Sequence, residues 1–189
     1  MRLFITFFAI ISISCSYTMQ TAIAQSTTDD VNDRLNGYVS KYNITLDEVT
    51  TAKIVEGCVE KQNKLRLDAS QNDVAVRKRI AIYSHIQDEV KAMQLRMMRQ
   101  GVDTSELDLF NGKLQAGQDS LTLAADSYGT AADDLLIIDC QKKPLQFKAG
   151  VLELNSLLNE IRSESADLRY IVHNSQESTL NPLKKRLSI

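Results

Sequence analysis

The chain has 189 residues and a formal net charge of −2, with 22 lysines and arginines against 24 aspartates and glutamates. Nucleic-acid-binding domains are usually strongly basic, so this near-neutral balance argues against a nucleic-acid partner. Tryptophan is absent and proline occurs only at positions 144 and 182, so the composition favours long, uninterrupted helices.

The first residues have the pattern of a secretory signal peptide. A basic residue precedes an apolar run from Leu3 to Ile13, and an Ala-x-Ala sequence ends at Ala24. We therefore expect cleavage between Ala24 and Gln25 and an extracytoplasmic location: secreted, periplasmic or in the cell envelope. Two alternatives remain open. One is an uncleaved anchor, although a spanning helix needs about 20 apolar residues; the other is lipidation at Cys15, which lacks the usual leucine three residues earlier.

Residues 25–44 are expected to be flexible or to form a short helix. Apolar and aromatic side chains recur there at helical spacing, at Val31, Leu35, Tyr38, Val39 and Tyr42.

A first long helix is predicted from about residue 46 to residue 100. Thr45 and Glu48 resemble a capping box, and Gly101 can adopt the left-handed conformation that ends a helix. Candidate core positions between them recur in steps of three or four, which is typical of helices that supercoil around partners. They are Thr51, Val55, Cys58, Gln62, Leu65, Ala69, Asn72, Val76, Ile80, Tyr83, Gln87, Val90, Gln94 and Met97.

Two features of this helix have open interpretations. The segment Ser70 to Asp73 is polar enough to break it, although we favour continuity. The polar core positions, which are Gln62, Asn72, Gln87 and Gln94, either set the register or partner number, or mark faces that no third helix covers.

A second helix is predicted to begin after Asp103, which can cap it, with Glu106 three residues on. Its core series keeps the three-four alternation without a polar member, and Gly117 suggests a close approach of two backbones. The series is Leu107, Phe110, Leu114, Gly117, Leu121, Ala124, Tyr128, Ala131, Leu135 and Ile138.

Pro144 suits the first turn of a third helix. The core series of that helix is Phe147, Val151, Leu154, Leu158, Ile161, Ser165, Leu168 and Val172, and the pattern fades after Ser175. A basic tail follows, in which Lys184, Lys185 and Arg186 are expected either to be solvated or to make a weak membrane or cell-wall contact.

Cys58 and Cys140 are the two cysteines that remain after signal cleavage, and an oxidising compartment favours a disulfide between them. If two helices turn back near Gly101, the cysteines lie about 64 and 56 Å from the turn, nearly level with one another. The alternative is a pair of free, buried thiols.

The predicted fold is therefore all-α: an elongated antiparallel three-helix coiled-coil bundle, made of a long helical hairpin and a third, returning helix. The predicted organisation is 1–24 signal peptide, 25–44 N-terminal segment, 45–180 helical coiled-coil domain and 181–189 basic C-terminal tail.

Known catalytic and metal-binding motifs are missing from the sequence. His85 shares a face with Asp88 and Glu89, which is better explained as a solvated pair than as a metal site, and neither His85 nor His173 has the Glu-x-x-His spacing of di-iron bundles. Asp133 and Asp134 point to different faces and are expected to be solvated. We therefore expect no cofactor, no metal and no enzymatic activity.

Three features of the chain are similar to those of a known group of proteins. Cys58 lies on a long helix, the turn has the pattern Gly101-x-Asp103-x-Ser105-x-Leu107, and Asp139-Cys140 precedes the closing helix. In this the chain resembles the small exported helical proteins with paired cysteines found in candidate-phyla, ultra-small bacteria, over about residues 54–180. It departs from them at residues 141–144, where small and acidic residues would be expected. Those proteins have no assigned function, so the resemblance implies export and a paired-cysteine helical fold.

These features are typical of a non-enzymatic structural or interaction protein of the cell envelope or the secreted fraction, with a protein partner or self-association. The alternative is an extracytoplasmic chaperone that holds unfolded clients on a surface formed by Met93, Leu95, Met97 and Met98. That cluster has a simpler interpretation as ordinary core with one exposed neighbour. An enzyme of unknown class is the third and weakest interpretation.

Overall fold

The computed structural model describes residues 29–181 and residue 183, and these residues form helices joined by short turns, without a strand. The predicted signal sequence with Cys15, Ala24 and Gln25 lies outside them, as do Lys184, Lys185 and Arg186. The helices are α1 (29–42), α2 (Glu48–Glu56), α3 (Cys58–Arg99), α4 (Ser105–Ile137) and α5 (Pro144–Ser175), followed by a π-helical turn, Gln176–Leu180. The prediction of an all-helical bundle is confirmed.

Helix α4 is the central helix of the bundle and packs against both α3 and α5. Every predicted core position of this helix is buried except Gly117, which is half-buried. Gly117 lies against Leu168 of α5, and Gly150 of α5 lies against Leu135. Residue numbers therefore rise along α4 as they fall along α5, so the two helices are antiparallel.

The turn between α3 and α4 closes at Gly101 as the sequence predicts, although Thr104, not Asp103, is the N-cap residue of α4. Gly101 has a φ of 73°, the left-handed conformation that favours glycine. Its N–H donates to the Met98 carbonyl at 3.0 Å, and the Val102 N–H donates to the Met97 carbonyl at 3.1 Å. This pair of bonds is a Schellman motif, and it satisfies carbonyls that a helix end otherwise leaves unpaired.

The start of the first long helix differs from the prediction in two ways. Asp47, not Thr45, is the N-cap of α2, because its carboxylate accepts from the Thr50 N–H at 2.6 Å. The helix is then interrupted at Gly57, whose ψ of 10° departs from the helical value, and it restarts at Cys58. The bend directs α2, with Ile54 buried, toward α5. Through Ser70 to Asp73, where a break was conceivable, α3 is continuous.

Helix α5 begins at Pro144, which occupies its first turn as predicted. In the preceding connection, the Asp139 carboxylate accepts from the Gln141 N–H at 3.1 Å and the Lys142 N–H at 3.3 Å. The hydrogen bond from the Lys142 ammonium, followed by these backbone bonds, lowers the pKa of Asp139. A short, hydrogen-bonded turn therefore places Cys140 between α4 and α5.

Candidate functional site

The polar core positions of α3 all donate hydrogen bonds to α4. Gln62 Nε2 donates to the carbonyls of Leu135 and Ile138, at 2.8 and 2.9 Å. This satisfies acceptors at the C-terminal end of α4 that have no partner within the helix. Ten residues further along α3, Asn72 Nδ2 donates to the Tyr128 hydroxyl at 3.1 Å.

The same pattern continues toward the turn. Gln87 Nε2 donates to the Asn111 carbonyl at 3.4 Å and to the Gln115 side chain at 3.3 Å, and Gln94 bonds to Asp108. A shift of α3 by one turn along α4 would break every one of these bonds. Of the two open interpretations, the polar positions therefore fit the one in which they set the register of the hairpin.

A groove of about 410 Å³ runs between α3 and α5, with Tyr128 of α4 at its floor. Its α3 wall is polar and carries Lys61, Lys64, Asp68, Gln71 and Asn72, with Leu65 among them. Its α5 wall is mainly apolar and carries Phe147, Val151, Leu154 and Leu158, with Asn155.

A second opening, of about 560 Å³, lies between α3 and α4 on the other side of the Asn72–Tyr128 bond. It is the more acidic of the two, because Asp73, Asp126 and Asp133 line it with a single basic residue, Arg66. The hydrogen-bonded pair is thus a bridge that separates two openings of opposite charge.

Cys58 and Cys140 come together at the end of the bundle opposite the turn. Their Cα atoms are 5.8 Å apart and both side chains are buried. Disulfide-bonded cysteines have Cα separations of about 4.4–6.8 Å, so the structure places this pair at disulfide distance. The level positions that the sequence predicts for the two cysteines thus agree with their placement.

Helix α1 covers this end of the bundle and contributes a cation to Asp134. Arg34 donates to both carboxylate oxygens of Asp134, at 2.8 and 2.6 Å, and this bidentate contact raises the pKa of the guanidinium. The Asp134 side chain is only 3% exposed. The expectation that Asp134 is solvated is therefore wrong, whereas Asp133 is exposed.

Glu153 of α5 is the second nearly buried carboxylate at this end. It accepts from Lys41 Nζ at 2.6 Å and from the Tyr42 hydroxyl at 2.8 Å. The hydrogen bond to Glu153 raises the pKa of Lys41, and burial followed by the bond to Glu153 raises the pKa of Tyr42. Sequence reasoning missed both contacts, since about 100 or more residues separate the partners.

The outer face of α4, opposite the core, carries an apolar stripe. Leu109, Leu123 and Ile137 are 61%, 69% and 65% exposed. Ala116 and Thr130 lie between them, so the five positions recur at every seventh residue. We call this set the α4 stripe. Sequence reasoning missed it because the buried series of the same helix has the same period and is more strongly apolar.

The other candidate groups do not form a site. Among the described residues, no group of three or more His, Cys, Asp or Glu side chains is placed to hold a metal ion. His173 contacts Glu177 at 3.7 Å on an exposed surface. Met97 is fully buried and Met93 is half-buried, but Leu95 and Met98 are both exposed, so the cluster has one more exposed member than the simpler interpretation expects.

The fold and these surfaces define a helical-bundle protein with a cysteine pair at disulfide distance. Comparison with protein-family models, curated proteins and solved structures found no match to the chain. The resemblance to exported helical proteins of candidate-phyla bacteria therefore stays a prediction. None of the helices in the described part of the chain is both long enough and apolar enough to cross a membrane.

Proposed function

We propose that this chain is an exported, non-enzymatic interaction protein of the cell envelope or the secreted fraction, and that the α4 stripe binds a helix of a protein partner. The pattern of residues before Gln25 supports export. The cysteine pair also supports it, because a pair at disulfide distance is expected to be oxidised in an extracytoplasmic compartment.

The proposed architecture is an elongated antiparallel three-helix coiled coil of α3, α4 and α5. The spacing of the core positions supports it, as do the antiparallel contacts of α4 with α5, at Gly117 and Gly150, and with α3, at Gln62 and Gln87. With 42 residues, α3 is about 63 Å long. Such a rod holds the surface of α4 in one fixed orientation.

The seven-residue period of the α4 stripe is the observation that carries the proposed function. Single exposed apolar residues are normal on protein surfaces. Here, however, three large side chains at equal spacing share one face of a helix, and each is more than half exposed. A second helix that packs with the same period could bury all three at once.

Charge beside the stripe indicates the chemistry of the partner. Asp119, Asp126 and Asp133 also recur at every seventh residue, along one edge of the stripe, and all three are exposed. None of them forms an ion pair with another described residue. Complementary charge favours a basic, amphipathic helix as the partner.

Binding of a defined peptide tests this proposal. We expect the protein to bind a synthetic amphipathic helix whose leucine stripe is flanked by lysine more tightly than the same helix flanked by glutamate, as measured by fluorescence anisotropy. L123E should abolish the binding of the basic peptide. L67E is the matched control, because Leu67 is an exposed leucine of α3 outside the stripe.

Two results would overturn the proposal: equal binding of the two peptides, or equal loss in L123E and L67E. Light scattering of the free protein distinguishes a separate partner from a second copy of the chain. A stable dimer that L123E dissociates would show that the stripe binds itself.

A further inference from the structure

The groove between α3 and α5 lies beside a polar residue at a core position of α3. Asn72, which lines the groove, occupies a position where a coiled coil usually has a large apolar side chain. Tyr128 of α4 reaches across to Asn72, so α3 and α4 are bridged here by a hydrogen bond rather than by packed side chains. Interhelical spaces of this kind are common places for ligands in helical bundles.

The α5 wall of the groove contains an incompletely covered apolar surface. Phe147, Val151, Leu154 and Leu158 share one face of α5 and belong to its core series. Phe147 and Leu154 are buried, but Val151 and Leu158 remain half-exposed because α3 does not cover them. A ligand with an apolar chain would remove this surface from water, which is favourable.

The α3 wall supplies positive charge at one end of the groove. Lys61 and Lys64 line it together with a single acid, Asp68. Lys64 forms no ion pair with any described residue, and Lys61 donates only to the Lys53 carbonyl, at 3.3 Å. The balance is therefore positive in this groove, in contrast to the acidic opening on the other side of the bridge.

The floor of the groove offers a hydrogen-bond donor. The Tyr128 hydroxyl accepts from Asn72 Nδ2 at 3.1 Å, and no described residue accepts its own proton. A phenol whose oxygen already accepts one bond can still donate to a polar group. The groove thus combines an apolar wall, a basic end and a free donor.

The length and charge of the groove favour a small amphiphile. From Phe147 to Leu158 the α5 wall is about 16 Å long. The groove of about 410 Å³ has its positive charge at one end of this wall. A narrow, extended chain with an anionic head matches both features.

We propose that this groove binds an anionic, single-chain amphiphile of the fatty-acid type. The carboxylate lies between Lys61 and Lys64, and the acyl chain extends along Val151, Leu154 and Leu158. This site is separate from the α4 stripe, so it does not depend on the proposed partner helix.

Calorimetric titration of the intact protein with laurate tests the proposal, at concentrations below micelle formation. We expect saturable binding of one laurate per chain. Dodecylamine, with the same tail and a cationic head, should bind about tenfold or more weakly, and butyrate, with the same head and a short tail, should not bind. The side-chain amide signal of Asn72 in the NMR spectrum should shift during the laurate titration.

Matched variants locate the site. K64E should weaken laurate binding by about tenfold, whereas K91E, the same change on an exposed part of α3 outside the groove, should not. L158N should weaken binding, and L157N, a half-buried neighbour outside the groove, should leave it unchanged. Circular dichroism checks that each variant is folded.

The proposal is wrong if laurate does not bind, or if many molecules bind per chain without saturation. It is equally wrong if dodecylamine binds as well as laurate, or if K64E and K91E behave alike. Binding of an amphipathic peptide with an Asn72 shift, without laurate binding, would show that the groove holds a helix instead.

Discussion

Two nearly buried carboxylates at the cysteine end of the bundle depend on α1 for their counter-charges. Asp134 accepts hydrogen bonds from Arg34, and Glu153 accepts them from Lys41 and Tyr42. A buried ion pair adds little net stability compared with apolar residues, but removal of one partner leaves an uncompensated charge and is costly. The side chains of α1 are therefore needed for the stability of helices that are distant in sequence.

R34M should lower the free energy of unfolding by about 1–3 kcal/mol, because it leaves the Asp134 carboxylate buried without its cation. Urea denaturation measures this loss. R77M is the control, since the ion pair of Arg77 with Asp73 is exposed on both sides and should contribute about 0–1 kcal/mol. Equal losses in the two variants would show that Asp134 does not depend on α1.

Alkaline pH should weaken the attachment of α1. The pKa values of Tyr38, Lys41 and Tyr42 are all raised above their ordinary values of 10.0, 10.5 and 10.0, by burial at the tyrosines and by Glu153 at the lysine. A raised pKa means that the folded state holds the proton more tightly. This stabilisation is complete below about pH 10 and is lost as pH rises through the folded-state pKa values.

The urea midpoint, measured from pH 8 to pH 12, should therefore fall above about pH 10. The fall should be smaller in the double variant K41M/Y42F, which lacks two of the three titrating groups. A midpoint whose alkaline fall is the same in both proteins would contradict this assignment.

At the scale of the helix, close contacts at two glycines decide how α4 and α5 pack. A Cβ atom at Gly117 would lie 2.7 Å from Leu168 Cδ2, and one at Gly150 would lie 2.5 Å from Leu135 Cδ2. Both leucines are fully buried, so neither can move into solvent. Gly112 and Gly129, in contrast, have open space around the same position.

Alanine substitutions at these four glycines should therefore change the stability of the protein in opposite directions. G117A and G150A should destabilise the protein by about 1–3 kcal/mol through overpacking. G112A and G129A should stabilise it by up to about 1 kcal/mol, because alanine is the better helix former. Thermal unfolding of the four variants checks the pattern, and a stabilising G150A would show that the helices can separate at no cost.

At this scale, the features that the sequence predicted are those that depend on residues close together in the chain. The core series of α4 and the cap at Gly101 depend on near neighbours, so the sequence alone indicated them. The bend at Gly57 was not predicted, because α2 turns there to reach α5, a contact between distant segments. Likewise, Asn72 was recognised as a polar core position, but its bond to Tyr128 and the groove beside it depend on how three helices meet.

At the scale of the whole molecule, the two ends of the bundle are held in different ways. At one end, α3 and α4 are connected directly by the backbone of the tight turn at Gly101. At the other end, α3 and α4 are held by contacts alone, among them the approach of Cys58 to Cys140, which lie 82 residues apart in sequence. A disulfide between these cysteines would limit fraying at this end of the long hairpin.

A disulfide between Cys58 and Cys140 should contribute about 4 kcal/mol to stability, because closing a loop of this length removes chain entropy from the unfolded state. Reduction, or the double variant C58S/C140S, should lower the urea midpoint and increase hydrogen exchange, first in α1 and near Cys140. Exchange near the turn at Gly101 should change least, which provides an internal control. Two reactive thiols in the untreated protein would show that the cysteines lie close together without forming a disulfide. A urea midpoint that does not change when reductant is added would show the same.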